Sequence, residues 1–180
     1  MTAYHIHEIL ITPAQLARRV DGLAREIAAG RPGENLAVIG ILRGSFIFLA
    51  DLVRGFDRNG LHPRIDFMIM ESYGQGTTPA RTPVVSRDCS IDLAGADVVV
   101  VDDILDTGRT LQHAVAHLRG KGPRAVRTCV LLDKPSRRVV PCHADHVGFA
   151  IPDHFVVGYG LDYAGHHREL PHIAKVTFPG

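Results

Sequence analysis

The spacing of apolar and polar residues changes period along the chain, and each change marks an element. Leu16, Val20, Leu23 and Ile27 recur at helical spacing. Thr12, Pro13 and Gln15 just before them form a capping box with Pro at the first helical position, and Gly30 and Pro32 end the run. Leu36–Leu42 is continuously apolar and short, the mark of a strand buried on both faces. Arg43-Gly44-Ser45 is a turn, after which Phe46, Leu49, Ala50 and Val53 return to helical spacing. Residues 65–70 read as a second strand. From Glu71 to Ser90 large apolar residues become rare while Gly, Thr, Ser, Pro and Arg accumulate, which predicts a mobile, lid-type loop. Four valines at 98–101 make the cleanest buried strand. A polar turn follows from Asp102 to Thr110, then a helix over 111–118 ended by Gly120, Gly122 and Pro123. Residues 126–132, 146–151 and 155–157 are further strand candidates.

Strands alternating with helices predict an α/β fold, a mostly parallel twisted sheet flanked by helices. Ligands in such folds bind beyond the carboxyl ends of the strands. Three polar segments fall at such ends: Arg43 to Ser45, Asp102 to Thr110, and Asp133 to Arg138.

Length and composition narrow the class. The 180 residues suffice for one domain with a substantial core, and 46% hydrophobic with 22% charged residues is ordinary for a globular chain. A net charge of +1 offers no global attraction for nucleic acid or anionic membrane. Three scattered cysteines argue against a disulfide framework and a Cys-rich zinc site. The first residues lack a basic segment followed by an apolar one, and no apolar run approaches a membrane span. A cytoplasmic protein is the expectation.

The segment from Val98 to Thr110 carries most of the chemistry. Asp102 and Asp103 sit at a strand tip, and Asp106-Thr107-Gly108-Arg109-Thr110 leads into a helix. Free N–H groups and the helix dipole favour a phosphate there. Neighbouring carboxylates suit ribose hydroxyls, Mg²⁺, or both. Neither a Walker A loop nor a dinucleotide-binding glycine fingerprint is present. The bland reading, a helix cap with solvated aspartates, is weak for three acids followed by Thr-Gly-Arg-Thr.

This segment resembles the phosphoribosyl-pyrophosphate motif of type I phosphoribosyltransferases. Leu42-Arg43-Gly44-Ser45, Glu71-Ser72-Tyr73-Gly74, Leu131-Leu132-Asp133-Lys134-Pro135 and the segment 151–163 are similar to the hypoxanthine-guanine branch. The likeness runs in order over about residues 5 to 178. It implies one domain over 1–180, a small hood formed by the N- and C-terminal segments, and a flexible lid at about 72–90. It further implies transfer of the 5-phosphoribosyl group from 5-phosphoribosyl-1-pyrophosphate to hypoxanthine or guanine, giving IMP or GMP and pyrophosphate.

The same resemblance assigns roles. Asp102 and Asp103 would hold the ribose hydroxyls, directly or through Mg²⁺, and Asp162 a second Mg²⁺. Asp106 would face N7 of the purine as general base. Thr107, Gly108, Arg109 and Thr110 would cradle the 5-phosphate. Arg43, Gly44, Ser45 and Arg168 would meet the pyrophosphate, with a cis peptide after Leu42. Lys134 would donate to the 6-oxygen, Phe155 would stack on the ring, and Val156 would meet it through its backbone. Ser72 and Tyr73 would belong to the lid. A homodimer or homotetramer is the family's habit.

Taken singly, several of these residues have plainer readings. Phe155 in an apolar strand suits a core, Lys134 before Pro135 an exposed loop, and Asp162 and Arg168 stand out only through the family. His113 and His117 at helical spacing lack the zinc-protease glutamate and read as exposed helix residues. Three departures are visible. Asp102 stands where the branch commonly has Glu, His154 where relatives often have Lys or Glu, and the lid diverges after Gly76. Competing functions are a relative using xanthine or uracil, and a non-catalytic regulator that senses the sugar pyrophosphate and binds nucleic acid.

Overall fold

The computed structural model describes residues 4–30, 32–73 and 82–178. The side chains of Ser72 and Tyr73 and residues 74–81, all within the expected lid, lie outside that description. The chain runs through β1 (His5–Ile11), α1 (Pro13–Ala29), β2 (Leu36–Leu42), α2 (Phe46–Arg58), β3 (Arg64–Tyr73) and β4 (Thr82–Arg87). It continues with β5 (Asp97–Leu105), α3 (Arg109–Arg119), β6 (Ala125–Asp133), a 3₁₀ turn (Pro135–Arg137), β7 (His146–Ala150), β8 (Val156–Val157) and β9 (Ile173–Thr177).

Six strands form the main sheet in the order β4-β3-β2-β5-β6-β7. All neighbours pair in parallel except β3 with the edge strand β4. Period-two burial divides the core. Val38, Val99 and Val101 point to the face covered by α1 and α2, where Leu23, Ile27, Phe48 and Leu52 are buried. Ala37, Ile39, Val98 and Val100 point to the opposite face, against Leu111, Ala114 and Leu118 of α3. Helix α1 starts as its sequence dictates. The Thr12 hydroxyl accepts from the Gln15 N–H at 3.3 Å, and the Gln15 side chain accepts from the Thr12 N–H at 2.9 Å. A second, antiparallel sheet in the order β1-β9-β8 joins the two ends of the chain into the expected hood.

Two boundaries differ from the sequence reading. The stretch 71–90, expected as loop, contains the end of β3 and all of β4. Pro83 is tolerated because β4 is an edge strand, with a ladder partner on one side only. Strand β5 does not stop at Val101 but continues to Leu105, because its ladder with β6 extends to Leu105 opposite Asp133. Backbone pairing thus carries Asp102 and Asp103 on the strand itself, where side-chain polarity had suggested a turn. Among the described residues no helix is long and apolar enough to cross a membrane.

Candidate active site

The chain leaves β2 toward β3 on one side and returns through β5 on the other. The crevice between the carboxyl ends of β2 and β5 is therefore the switch point at which such sheets bind ligands. A cavity of about 480 Å³ lies there. Its lining comes from the ends of β2, β3 and β5, the turn into α3, and the hood residues Asp162 and Arg168.

Asp102 is buried and Asp103 partly buried, side by side in that lining. The Asp103 N–H donates to Asp102 Oδ1 at 3.0 Å, and the two carboxyl groups also interact directly. Burial raises the Asp102 pKa well above the ordinary carboxylate value, and the charge of Asp103 raises it further. Burial also raises that of Asp103, against opposing hydrogen bonds and the more distant Arg168 cation. No ion pair reaches either carboxylate among the described residues. A crowded, unneutralised acid pair is a place for a hard cation or for hydroxyl donors.

The turn into α3 is tightly held. Gly108 is the N-cap with φ +86°, a left-handed conformation that suits glycine, and an added Cβ would lie 2.8 Å from the Cys142 Cβ. Arg138 holds the turn from behind. Its guanidinium donates to the carbonyls of Leu105 (2.9 Å), Asp106 and Cys142 (3.0 Å) and pairs with Asp133. Thr107, Gly108 and Thr110 line the cavity, whereas Arg109 lines a separate surface recess with His113. Arg109 thus offers the main cavity its position on the backbone rather than its charge.

On the opposite wall, the peptide between Leu42 and Arg43 is cis, as the resemblance implies. Arg43 and Gly44 line the cavity. A Cβ on Gly44 would collide with the Asp103 carboxylate, so only glycine lets the turn pass that close. Ser45 is buried, and its hydroxyl donates to the Ile41 carbonyl at 2.6 Å rather than facing the cavity. In the hood, Arg168 pairs with Asp162 at 2.8 Å and donates to the Gly160 carbonyl at 2.6 Å.

Asp106 lines the cavity, and its Oδ1 accepts from Arg137 Nε at 3.2 Å. Lys134, Phe155 and Val156 sit outside the cavity lining. Lys134 is buried with Nζ 3.6 Å from Asp153, and Val156 is buried in β8 opposite Lys175. Phe155 is 44% exposed and makes T-shaped contacts with Tyr163 and Phe178. Sequence reasoning missed Arg137, Arg138, Asp153 and the cavity residue Glu71. The two arginines fell inside a segment recognised as polar and at a strand end, but only the structure shows what they touch.

The phosphoribosyl transferase domain family matches residues 5–164. The chain is 44% identical over 170 residues to the hypoxanthine-guanine phosphoribosyltransferase of Aquifex aeolicus, covering 94% of each. It is 41% identical over 174 residues to the hypoxanthine phosphoribosyltransferase of Escherichia coli K12, covering 96% of each. A crystal structure of a Bacillus anthracis hypoxanthine-guanine phosphoribosyltransferase is similar at a TM-score of 0.89 and 40% identity, over 97% of this chain and 100% of that one.

Proposed function

The chain belongs to the phosphoribosyltransferase family, and from that membership we propose that it is a purine-salvage enzyme moving the 5-phosphoribosyl group of 5-phosphoribosyl-1-pyrophosphate to N9 of hypoxanthine or guanine. The observation that carries this reading is the convergence on one cavity of the Asp102–Asp103 pair, the Asp106–Thr110 turn, the Arg43–Gly44 turn and Arg168. These groups support the reading because carboxylates suit ribose hydroxyls, and a turn into a helix and two arginines suit phosphate groups.

In this reading the Thr107–Thr110 turn binds the 5-phosphate through backbone N–H groups and hydroxyls. Arg43 and Arg168 stabilise the charge that develops on pyrophosphate as its bond to C1 breaks. The purine N9 lone pair forms the new bond to C1 while Asp106 takes the N7 proton. Lys134, just after β6, and Phe155, just before β8, orient the base, and Ser72 and Tyr73 belong to the lid that excludes water.

Phosphoribosyltransferases generally use Mg²⁺. The donor set fits it. Asp102, Asp103 and Asp162 offer hard oxygens, and the raised pKa values of the first two mark charge that a divalent cation would offset. Among the described residues no group of three or more such side chains is arranged to hold a metal alone. Asp102, Asp103 and Asp162 would hold the ion together with the substrate. Bound there, Mg²⁺ would neutralise the pyrophosphate. We also infer a cytoplasmic homo-oligomer, dimer or tetramer, that takes no nucleic acid or membrane partner.

The test is nucleotide formation from hypoxanthine, guanine, xanthine, adenine and uracil, with and without Mg²⁺. Mg²⁺-dependent turnover of hypoxanthine or guanine is expected, with Asp106→Asn lowering kcat by about 10²- to 10⁴-fold. No turnover of either base would overturn the reading.

A further inference from the structure

Asp106 does not stand alone at the cavity rim. Arg137 Nε lies 3.2 Å from Asp106 Oδ1, and Arg137 Nη1 lies 3.6 Å from Asp153 Oδ2. The other oxygen of Asp153 is 3.6 Å from Lys134 Nζ. Four charges therefore alternate in sign from Asp106 through Arg137 and Asp153 to Lys134.

The backbone explains why they meet. The Lys134 N–H donates to the Leu105 carbonyl at 3.0 Å, which ties the start of the 3₁₀ turn to the residue before Asp106. The Arg137 N–H then donates to the Lys134 carbonyl at 3.0 Å. Lys134 is the N-cap of that turn and Arg137 its last residue, and both side chains turn toward Asp153. Asp153, three residues into the segment after β7, reaches both.

We propose that Arg137 is a positioning residue for the reaction, pinning one oxygen of Asp106 so that the other faces the purine N7. The inference rests on the function proposed above. An aspartate on the half-exposed rim would otherwise rotate freely about its last bond, and proton transfer needs the acceptor oxygen within about 2.6–3.2 Å of its donor. The bridge through Asp153 sets the spacing between the group that takes the N7 proton and the group that meets the 6-oxygen, two atoms on the same edge of the purine. Arg137 and Asp106 are 49% and 38% exposed, so their ion pair adds little to folding. A role in stability and a role in positioning are therefore separable.

The experiment measures kcat, both KM values and Tm for Arg137→Gln, Arg137→Lys, Asp106→Asn and the Arg137→Gln/Asp106→Asn double variant. Arg137→Gln should lower kcat about ten- to a hundredfold, with Tm and the KM for 5-phosphoribosyl-1-pyrophosphate unchanged. Arg137→Lys should recover part of the rate, and the double variant should fall no lower than Asp106→Asn. The proposal is overturned if Arg137→Gln keeps kcat within about twofold of the unaltered protein, or if it costs the same factor in both backgrounds. It is equally overturned if the loss appears only in Tm. Absence of hypoxanthine and guanine turnover in the unaltered protein would instead remove the functional reading itself.

Discussion

Strand β5 carries buried acid at both ends, and the two ends treat it in opposite ways. At the amino end Asp97 is buried, and its Oδ2 accepts from the Gly33 N–H at 2.5 Å and pairs with Arg124. At the carboxyl end Asp102 and Asp103 crowd one another without an ion pair among the described residues. The first arrangement closes a loop onto the sheet. The second leaves charge uncompensated where the cavity opens, at a cost in stability that a ligand or cation would recover.

The largest expected effect comes from exchanging those roles by mutation. Asp103→Asn should lower kcat by about a hundredfold or more, since in the proposed reading it removes a group that holds the reacting sugar. It should leave the Tm of the ligand-free protein equal or higher. Asp97→Asn should do the reverse, costing about 1–3 kcal/mol of stability with kcat retained. The pH dependence follows from the raised pKa values of the pair. A carboxyl whose folded pKa exceeds its unfolded one contributes stability that is fully present below the ordinary value near 4 and is lost as pH rises through the folded value. Denaturant melts from pH 4 upward should therefore show the unaltered protein losing ground to Asp103→Asn. A gap that closes with rising pH would break the contrast.

Glycines sharpen the same comparison at a smaller scale. Gly160 has φ +104°, and a Cβ there would strike the Gly44 carbonyl, so hood and cavity wall touch through two glycines. Gly122, beyond α3 at the other end, has φ +74° with nothing within 4 Å of an added Cβ. Gly160→Ala should cost about 1–3 kcal/mol and also lower kcat by displacing the Arg43–Gly44 turn. Gly122→Ala should cost about 1 kcal/mol, the left-handed penalty alone, with kcat unchanged. Equal kcat in the two variants would show that the hood does not set the turn.

These contrasts also show what was legible in advance. Leu36–Leu42 and the valines of β5 announced themselves, because strands buried on both faces need apolar side chains at every position. The capping box at Thr12 and Gln15 was legible because its two hydrogen bonds are local in sequence. The hood strands β1 and β9 were not apparent from periodicity. They pair across more than 160 residues, and their polar positions, such as His5, Glu8 and Lys175, break the apolar pattern. In the site, Asp102, Asp103, Asp106 and the Thr107–Thr110 turn were visible as one contiguous motif. Arg137 and Arg138 looked alike as neighbouring cations. Their different partners, Asp106 and Asp153 for one and three carbonyls with Asp133 for the other, depend on how the 3₁₀ turn meets β5. The burial of Ser45 is likewise a matter of where α2 enters the core.

A fourth carboxylate gives the smallest effect and the opposite sign. Asp88, just after β4, is hydrogen-bonded by Lys121 at 2.7 Å and His117 at 2.9 Å, with the Cys89 N–H at 2.8 Å. Partial burial works to raise its pKa, but the bonds to Lys121 and His117 outweigh it and bring the value down to about 2 from an ordinary 3.8. Its contribution is present above the ordinary value and is lost as pH falls through about 2. Asp88 is 37% exposed, so solvent screening keeps the contribution small. Asp88→Asn should lower Tm slightly at neutral pH and low salt, and that gap should shrink both toward pH 2 and in molar salt. Asp103→Asn differs from the unaltered protein most at high pH, whereas the Asp88→Asn gap is already complete above about pH 4 and changes only on the acid side. A gap for Asp88→Asn that widened toward acid would mean that burial, not the lysine and histidine, governs this site, and it would then behave like the strand tip instead of its counterpart.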